Sequence, residues 1–593
     1  MKSLFGPVVE SGGTLFRLYA PSAREPELIL EGRAPIALER AADGFWTTFA
    51  AGVGEGQRYR FRSGGLEFSD LASRQQDGDT AGWSIVRRPL PPSPDRKPIR
   101  PWHEAIIAEV HVGTATREGT FAALGDRLEH FRDAGFTCLE IMPLNAFPGD
   151  RNWGYDGTLM FAPAAAYGAP EDLRNLVDHA HELGLNLILD VVYNHFGDTH
   201  NFARDYVPEW FSEEVETPWG PGINFENPMV RQFYYENAAM WLDEYDFDGL
   251  RFDSVHEMKT AGRDTFLREL AGTARSVKPQ ARLIIENMKN SFRWLERDPA
   301  DNLPHHYWAQ WNDDMHHVLT YLVTGEGRPT GYDDPQKDPY ADLEKALADG
   351  FVHDPSEGDD SDGTTRGGKG ALLPPDSFIT YVQNHDQIGN RADASRISER
   401  ISPEKVDFTH FVKFMAPQIP LCFMGDEANV ASPFPFFFDL PEDIAREKEE
   451  DRYDQMRNMF GQDVEEGGLP DPNERSTFLS AKLAWDEYDR PERRAALDRF
   501  RQLARWRRER VWPLAATPCL AARTARQGNG LIVTWVFEAG QLSMALNPTD
   551  EAIEMDCCIA SAPVSTGTAA IEGEVLRLGA WSAVSWSEPV RRA

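Results

Sequence analysis

The chain has 593 residues, 41% of them hydrophobic, with 16 Trp, 16 Tyr and 34 Phe, so it is too long for one core and has material for two to four domains. Its 95 Asp+Glu against 61 Lys+Arg leave a formal charge of −34, which argues against nucleic acid or an anionic membrane as a partner and reads as a strongly solvated surface. No run approaches the ~18 apolar residues of a membrane span, and the N-terminus lacks the roughly 7–15-residue apolar stretch of a signal peptide, so a cytoplasmic location is expected.

Residues 1 to about 90 read as short strands broken by Gly, Pro and Asp ("LFRLYAPSA", "EPELILEG", "GFWTTFA", "RYRFRSG"), the rhythm of a β-sandwich expected over 1–95. The Pro- and Arg-rich "RRPLPPSPDRKPIRPW" (87–102) reads as a semi-rigid linker. From 96 to 508, short apolar runs alternate with helical patterns, as βα units do. The runs are "AIIAEVHVG" (105–113), "CLEIMPL" (138–144), "LNLILDVVYNH" (185–195), "FDGLRFDSV" (247–255), "ARLIIEN" (281–287), "YWAQWNDD" (307–314), "FITYVQNHD" (378–386) and "IPLCFMGDE" (419–427). Eight such units predict an α/β fold, a (β/α)8 TIM barrel with its active site at the C-terminal ends of the strands. Between the third and fourth runs, Val230, Phe233, Tyr234, Met240, Trp241 and Tyr245 form a broad helical stripe.

Insertions are expected near 196–228, 325–376 and 428–480, the last a loop and helix over the barrel rim; residues 509–593 read as a C-terminal β-domain. The acid-rich "EGDDSD" (357–362) lacks the full spacing of an EF-hand loop and reads as a solvated charge run. Five cysteines (Cys138, Cys422, Cys519, Cys557, Cys558) are odd in number and lack metal-ligand spacing, and buried thiols in a reducing compartment are expected.

The apolar runs end in polar clusters: Asn194 and His195, Asp253 and His256, Glu286, Asp314, His385 and Asp386. On one rim, two carboxylates flanking a glycosidic bond can cleave it, one attacking and one protonating the leaving oxygen. Arg251 shares a strand face with Asp253 and is expected to lower its pKa, as a nucleophile needs. Glu286 follows "LII" with no cation beside it in sequence, so its pKa is expected to rise, as a general acid needs. Taken singly, each strand-end acid is more often a helix cap or structural ion pair; the set on successive strands makes that reading improbable.

"DVVYNH" (190–195), "GLRFDSVH" (249–256), "LIIEN" (283–287) and "FITYVQNHD" (378–386) resemble, in order and spacing, the four sequence blocks of the α-amylase superfamily, glycoside hydrolase family 13. The resemblance covers the barrel and implies Asp253 as nucleophile, Glu286 as acid/base and Asp386 as transition-state stabiliser, with Asp190, His195, Arg251 and His385 binding the sugar at the cleavage point. "EVHVGTATREGTF", "RNWGYDGTLMFAPAAAYG", "TPWGPGINFENP", "AQWNDDMHHVL" and "QNHDQIGNRA" look like the maltooligosyltrehalose trehalohydrolase branch, whose members release trehalose from a maltooligosaccharide capped by it. That branch implies Tyr155 stacking on the sugar, Trp153 and Asp156 shaping the same loop (Trp153 being equally readable as core) and His256 contacting the next sugar. Trp219, Trp311, Asp313 and Asp314 are weaker candidates. Many amylases bind calcium through the Asn of the first block, here Asn194, but the trehalohydrolase branch generally does without; no metal and no cofactor are expected.

The chain departs from the branch in rim loops: Ala428 stands where a Trp is expected, Glu257 where a small apolar residue is, and 325–376 is enlarged. A related α-glucosidase or transglucosylase on the same core is therefore the alternative, and a non-catalytic glycan-binding barrel a remote one. The expected partner is an α-gluco-oligosaccharide, with neither nucleic acid nor membrane, and the expected assembly a monomer or homodimer.

Overall fold

The computed structural model describes residues 3–94, 96–217, 219–298, 301–326, 338–352, 373–458, 464, 468–559 and 561–589. The acid-rich 357–362 segment and most of the 325–376 insertion lie outside them. Eight parallel strands close into a barrel: β1 Ile107–Val110, β2 Cys138–Ile141, β3 Asn186–Val191, β4 Gly249–Phe252, β5 Arg282–Ile285, β6 Ala309–Trp311, β7 Phe378–Thr380 and β8 Ile419–Phe423. Each lies inside one of the eight apolar runs and is buried along its whole length, as parallel strands covered on both faces must be. The strands are shorter than the runs because the polar ends turn out of the ladder onto the rim.

Around the barrel pack α1 Leu128–Ala134, α2 Pro170–Glu182, α3 Pro228–Asp243, α4 Arg263–Val277, α5 Asp313–Thr324, α6 Pro403–Met415 and, after a long excursion, α8 Pro491–Trp506; α7, Glu442–Asn458, belongs to that excursion. In α3 the side chain of Asn227 accepts from the Met229 amide and Pro228 occupies the first turn, so the sequence starts the helix where the stripe begins. Its residues Val230, Phe233, Tyr234, Met240 and Trp241 are all buried, each Phe-sized side chain stabilising by ~1.5–3 kcal/mol. The crossover from β5 to β6 departs from the βα rhythm: among its described residues it holds only one 3-10 turn, Phe292–Trp294. The chain still returns to the start of β6, but as irregular structure carrying an isolated bridge between Arg297 and Pro304.

The barrel interior is layered. Ile107, Cys138, Ile188, Ile284, Ala309, Trp311, Ile379, Ile419 and Leu421 form one apolar cluster drawn from seven strands. Two residues further along four of these strands, hence on the same face, come Glu109, Glu140, Asp190 and Glu286, with Arg251 at the corresponding level of β4; on β6, β7 and β8 that place holds Trp311, Tyr381 and Leu421. Alternation thus builds an apolar floor and a charged layer above it.

At the N-terminal end a four-stranded and a six-stranded antiparallel sheet lie over the core formed by Phe16, Leu28, Tyr59, Phe61 and Phe68. At the C-terminal end five strands from Cys519–Gln527 to Ser582–Pro589 and a three-stranded sheet enclose Ala545, Met555, Leu576 and Trp586. Cys138, Cys422 and Cys557 are buried, but Cys519 is half-buried and Cys558 exposed, because adjacent residues of an extended chain face opposite ways and the apolar cluster takes only the first of the 557–558 pair. No helix among the described residues is long and apolar enough to cross a membrane.

Candidate active site

Arg251 is the centre of the rim. Its guanidinium is 1% exposed, lies 4.1 Å over the Trp311 ring, and donates from Nη1 to Asp190 Oδ2 (2.6 Å) and Asp253 Oδ1 (2.9 Å) and from Nη2 to Glu286 Oε2 (2.7 Å). One cation, delivered by β4, therefore touches acids from the ends of β3, β4 and β5. Fork geometry suits it to this: a planar guanidinium presents fixed donors that carboxylates accept in pairs. The three negative charges raise its pKa well above the usual value even though burial works against them.

Asp253 ends β4, and its second oxygen accepts from Asn194 Nδ2 at 2.7 Å. Beyond it, Ser254 takes a left-handed conformation (φ 39°), unusual for a residue with a side chain, and that turn aims its backbone N–H at Glu286 Oε2, 2.9 Å away. The pKa expectations for the pair are reversed. Asp253 is pushed up by burial and by the charges of Glu286 and Asp190, against which Arg251 works, because Arg251 Nη1 is shared with Asp190. Glu286 is held below its usual value: burial opposes this, but Arg251 Nη2, His256 and the Ser254 amide outweigh it. The cation absent from the Glu286 strand reaches it from the neighbouring one. The pair titrates as a unit.

Asp386 opens the short helix His385–Gly389, for which Asn384 supplies a capping box. It is the most solvent-open of the three acids, although protein surrounds it closely; burial raises its pKa against the charges of His385 and Arg452, and Asn390 Nδ2 donates to its Oδ1 at 2.6 Å. His385 stacks on Tyr155 (5.1 Å, 21°), and Glu109 on β1 receives both its backbone N–H (2.9 Å) and its ring Nδ1. Burial disfavours a charged imidazole there, yet the Glu109 carboxylate prevails and raises the His385 pKa.

The remaining candidates fall into two groups. Tyr155, His195, His256, Asp156 and Trp219 ring the same opening. The Tyr155 hydroxyl donates to Asp190 Oδ2 (2.8 Å), Trp219 stacks on His195 (4.1 Å, 9°), and His195 Nε2 lies 2.9 Å from Tyr155 O with its pKa pushed down to about 4 by burial. His256, on the turn Val255–Glu257, has its pKa lowered chiefly by burial, against the charges of Glu286 and Glu257. Asp156 accepts from Asn152 Nδ2 (2.7 Å). The others sit behind this ring. Asp190 is 1% exposed and meets the opening only through Arg251 and Tyr155. Trp153 is a packing residue, not a cleft wall: it is 4% exposed, gives its indole N–H to Pro435 O (3.0 Å), and presses edge-on against His385. Trp311 underlies Arg251, Asp313 accepts from the Tyr381 hydroxyl, and Asp314 is a staple receiving Asn290 Nδ2 and the Val352 amide, both at 2.8 Å.

Sequence reasoning missed four contributors and the part of a fifth. Asn194, placed among the polar strand ends and considered for calcium, has its amide committed to Asp253 and His195, a donor on one side and an acceptor on the other, which is not the arrangement of a calcium ligand. Asn390 and Arg452 support Asp386. Glu109 and Glu140 face the barrel interior; Glu140 is fully enclosed with neither carboxyl oxygen hydrogen-bonded, and burial pushes its pKa well above the carboxylate range. The last two carried the signal that singled out Arg251, a charge inside an apolar strand.

Among known proteins, the alpha-amylase catalytic domain matches residues 71–219. A protein of Saccharolobus solfataricus named malto-oligosyltrehalose trehalohydrolase is 32% identical over 92% of this chain and 94% of its own length. One of the same name from Deinococcus radiodurans is 33% identical over 85% and 82%. The crystal structure of a putative α-amylase from Salmonella typhimurium superposes with a TM-score of 0.90 at 32% identity, covering 99% of this chain and 100% of that one.

Proposed function

The chain belongs to the malto-oligosyltrehalose trehalohydrolase family of α-amylase-like enzymes, and we propose that it releases trehalose from an α-1,4-linked glucan ending in trehalose, with retention of anomeric configuration. The observation that carries this reading is the shared guanidinium: Arg251 holds Asp253 and Glu286 in one pocket, with Asp386 open beside them.

Asp253 attacks the anomeric carbon while Glu286 gives its proton to the departing trehalose oxygen, leaving a glucosyl ester on Asp253. Glu286 then takes a proton from water, which attacks the ester. Asp253 and Glu286 compete for one guanidinium, so the proton of the pair is favoured on whichever acid Arg251 holds less firmly. A substrate that draws Glu286 toward the glycosidic oxygen removes it from Arg251 and Ser254 N, which raises its pKa. The freed guanidinium lowers that of Asp253, and the proton moves to where protonation of the leaving group needs it. Tyr155 offers an aromatic face to the sugar at the cleavage point, with Trp219 flanking through His195. Asp386 and His385 take its hydroxyls, Asp386 also supporting positive charge at the anomeric carbon. His256 contacts the first trehalose glucose.

Incubation with maltooligosyltrehalose, maltooligosaccharides and isomaltooligosaccharides, each followed by product identification, tests this. Trehalose from the first is expected, and its absence removes the specific assignment. The alternative, glucan transfer, draws on a 31% likeness to a 1,4-alpha-glucan branching enzyme of Bordetella parapertussis over 50% of the chain, and predicts lengthened or branched chains from the second or third substrate. A second expectation concerns Asn194. Asn194→Ala deprives Asp253 Oδ2 of a donor, and the loss of one hydrogen bond to a charged group lowers kcat by about 10- to 100-fold, read in steady-state kinetics, with KM little changed.

A further inference from the structure

Helix α7 lies in the long excursion between β8 and α8, outside every sequence block of the family. Two of its cations, one turn apart on a common face, reach back to the rim. Lys448 Nζ comes to 3.4 Å from Asp198 and 3.9 Å from Asp156. Arg452 goes deeper: its guanidinium lies 5.3 Å over the Phe436 ring, Nη1 donates to Asn390 Oδ1, and Nη2 donates to Gly389 O at 2.6 Å. Asn390 then spends its amide hydrogens on Asp386 Oδ1 at 2.6 Å. An unheld Asn side chain can flip end for end; with Arg452 demanding the oxygen, only the NH2 can face Asp386. The two bonds to Asn390 and Gly389 also close the C-terminal end of the helix on which Asp386 sits.

Resting on the role proposed above for Asp386, we propose that Arg452 is a positioning residue for this acid: through Asn390 it fixes the carboxylate on its rotamer, and its charge keeps the carboxylate ionised. The charged groups around Asp386 are His385 on its own helix, Glu286 from the end of β5, Arg251 from β4 and Arg452 from α7; Glu286 raises its pKa and the three cations lower it. Arg452 is also the cation whose own pKa falls to about 10 through burial, with Asp386 as the charge that opposes the fall. Losing it removes one of three stabilising cations, so Asp386 protonates at higher pH and the acid limb of kcat/KM moves upward.

The test is a double-mutant cycle on maltooligosyltrehalose hydrolysis with Arg452→Met, Asn390→Ala and the pair. Arg452→Met is expected to lower kcat about 10- to 100-fold with KM changed less than about threefold, and to raise the acid limb. Arg452→Lys keeps the charge but cannot hold both oxygens; it is expected to restore the acid limb without restoring kcat. The double variant is expected to be no worse than the poorer single, because both changes break one chain of bonds. Arg446→Met on the exposed face of α7, where Arg446 pairs with Glu442 among the described residues, is expected to leave activity unchanged. Additive losses, or Arg452→Met with wild-type kcat and acid limb, overturn the proposal. If Arg452→Met fails to fold, Arg452→Lys and Asn390→Ala alone still decide: a Lys variant with full kcat contradicts it. Asp386→Asn separates the two levels, since full activity in that variant sinks the role of Asp386 itself, whereas an inactive Asp386→Asn beside a normal Arg452→Met sinks only the positioning role.

Discussion

Replacing Asp253 by Asn is expected to lower kcat on maltooligosyltrehalose by at least about 10⁴-fold while leaving the circular dichroism spectrum and unfolding midpoint near those of the wild type. The amide keeps the shape and one oxygen for Arg251, so packing is preserved, but it cannot form the glucosyl ester. The fold should tolerate the change because Asp253 sits at the pocket edge and its neutral isostere relieves repulsion from Asp190 and Glu286. Glu286→Gln removes proton delivery rather than the nucleophile, and separates from Asp253→Asn by substrate. A glucosyl fluoride, whose leaving group needs no proton, should still load the Glu286→Gln enzyme but not the Asp253→Asn one. Normal turnover in either variant contradicts the assigned roles.

Arg251→Met is expected to have the largest combined effect, abolishing activity and costing about 3–5 kcal/mol of stability. Among the described residues the guanidinium is the only partner that Asp190, Asp253 and Glu286 share, and its removal leaves three carboxylates facing one another in a nearly sealed layer. Without it their folded-state pKa values rise above the unfolded carboxylate value of about 4, so the folded variant binds more protons than the unfolded chain. Its stability therefore improves as pH falls and worsens as pH rises through those raised values. Thermal unfolding across pH should show the gap to wild type narrowing toward acid. A constant gap would mean that lost packing over Trp311, rather than stranded charge, is what the variant suffers.

The barrel was legible because buried parallel strands must be apolar and short, and each of the eight runs contains one. The candidate rim was legible for a narrower reason: Arg251 and Asp253 break an apolar strand on a single face, a costly arrangement unless the charges meet partners. What lay beyond the sequence was everything that depends on which strand stands beside which. Glu109 and His385 are 276 residues apart and meet only because β1 closes the barrel against β8, one strand on from β7. The direction of the acid pair was misjudged on the same ground, since the cation that holds Glu286 belongs to the adjacent strand. Trp153 read equally well as wall or core, and its burial, with the indole N–H committed to Pro435, places it in the core. The helix carrying Arg452 was expected over the rim from its place after β8, but it shows no apolar periodicity to single out the residues that reach inward; a polar helix is anchored by individual long side chains, which spacing does not reveal.

The account stands most directly on the identity of the atom that the sugar joins. Glu286→Gln enzyme, incubated with an α-maltosyl fluoride and quenched in acid, should carry one maltosyl unit, and peptide mapping by mass spectrometry should place it on Asp253. A label on any other residue, or none while the fluoride is consumed with inversion at the anomeric carbon, would contradict the mechanism.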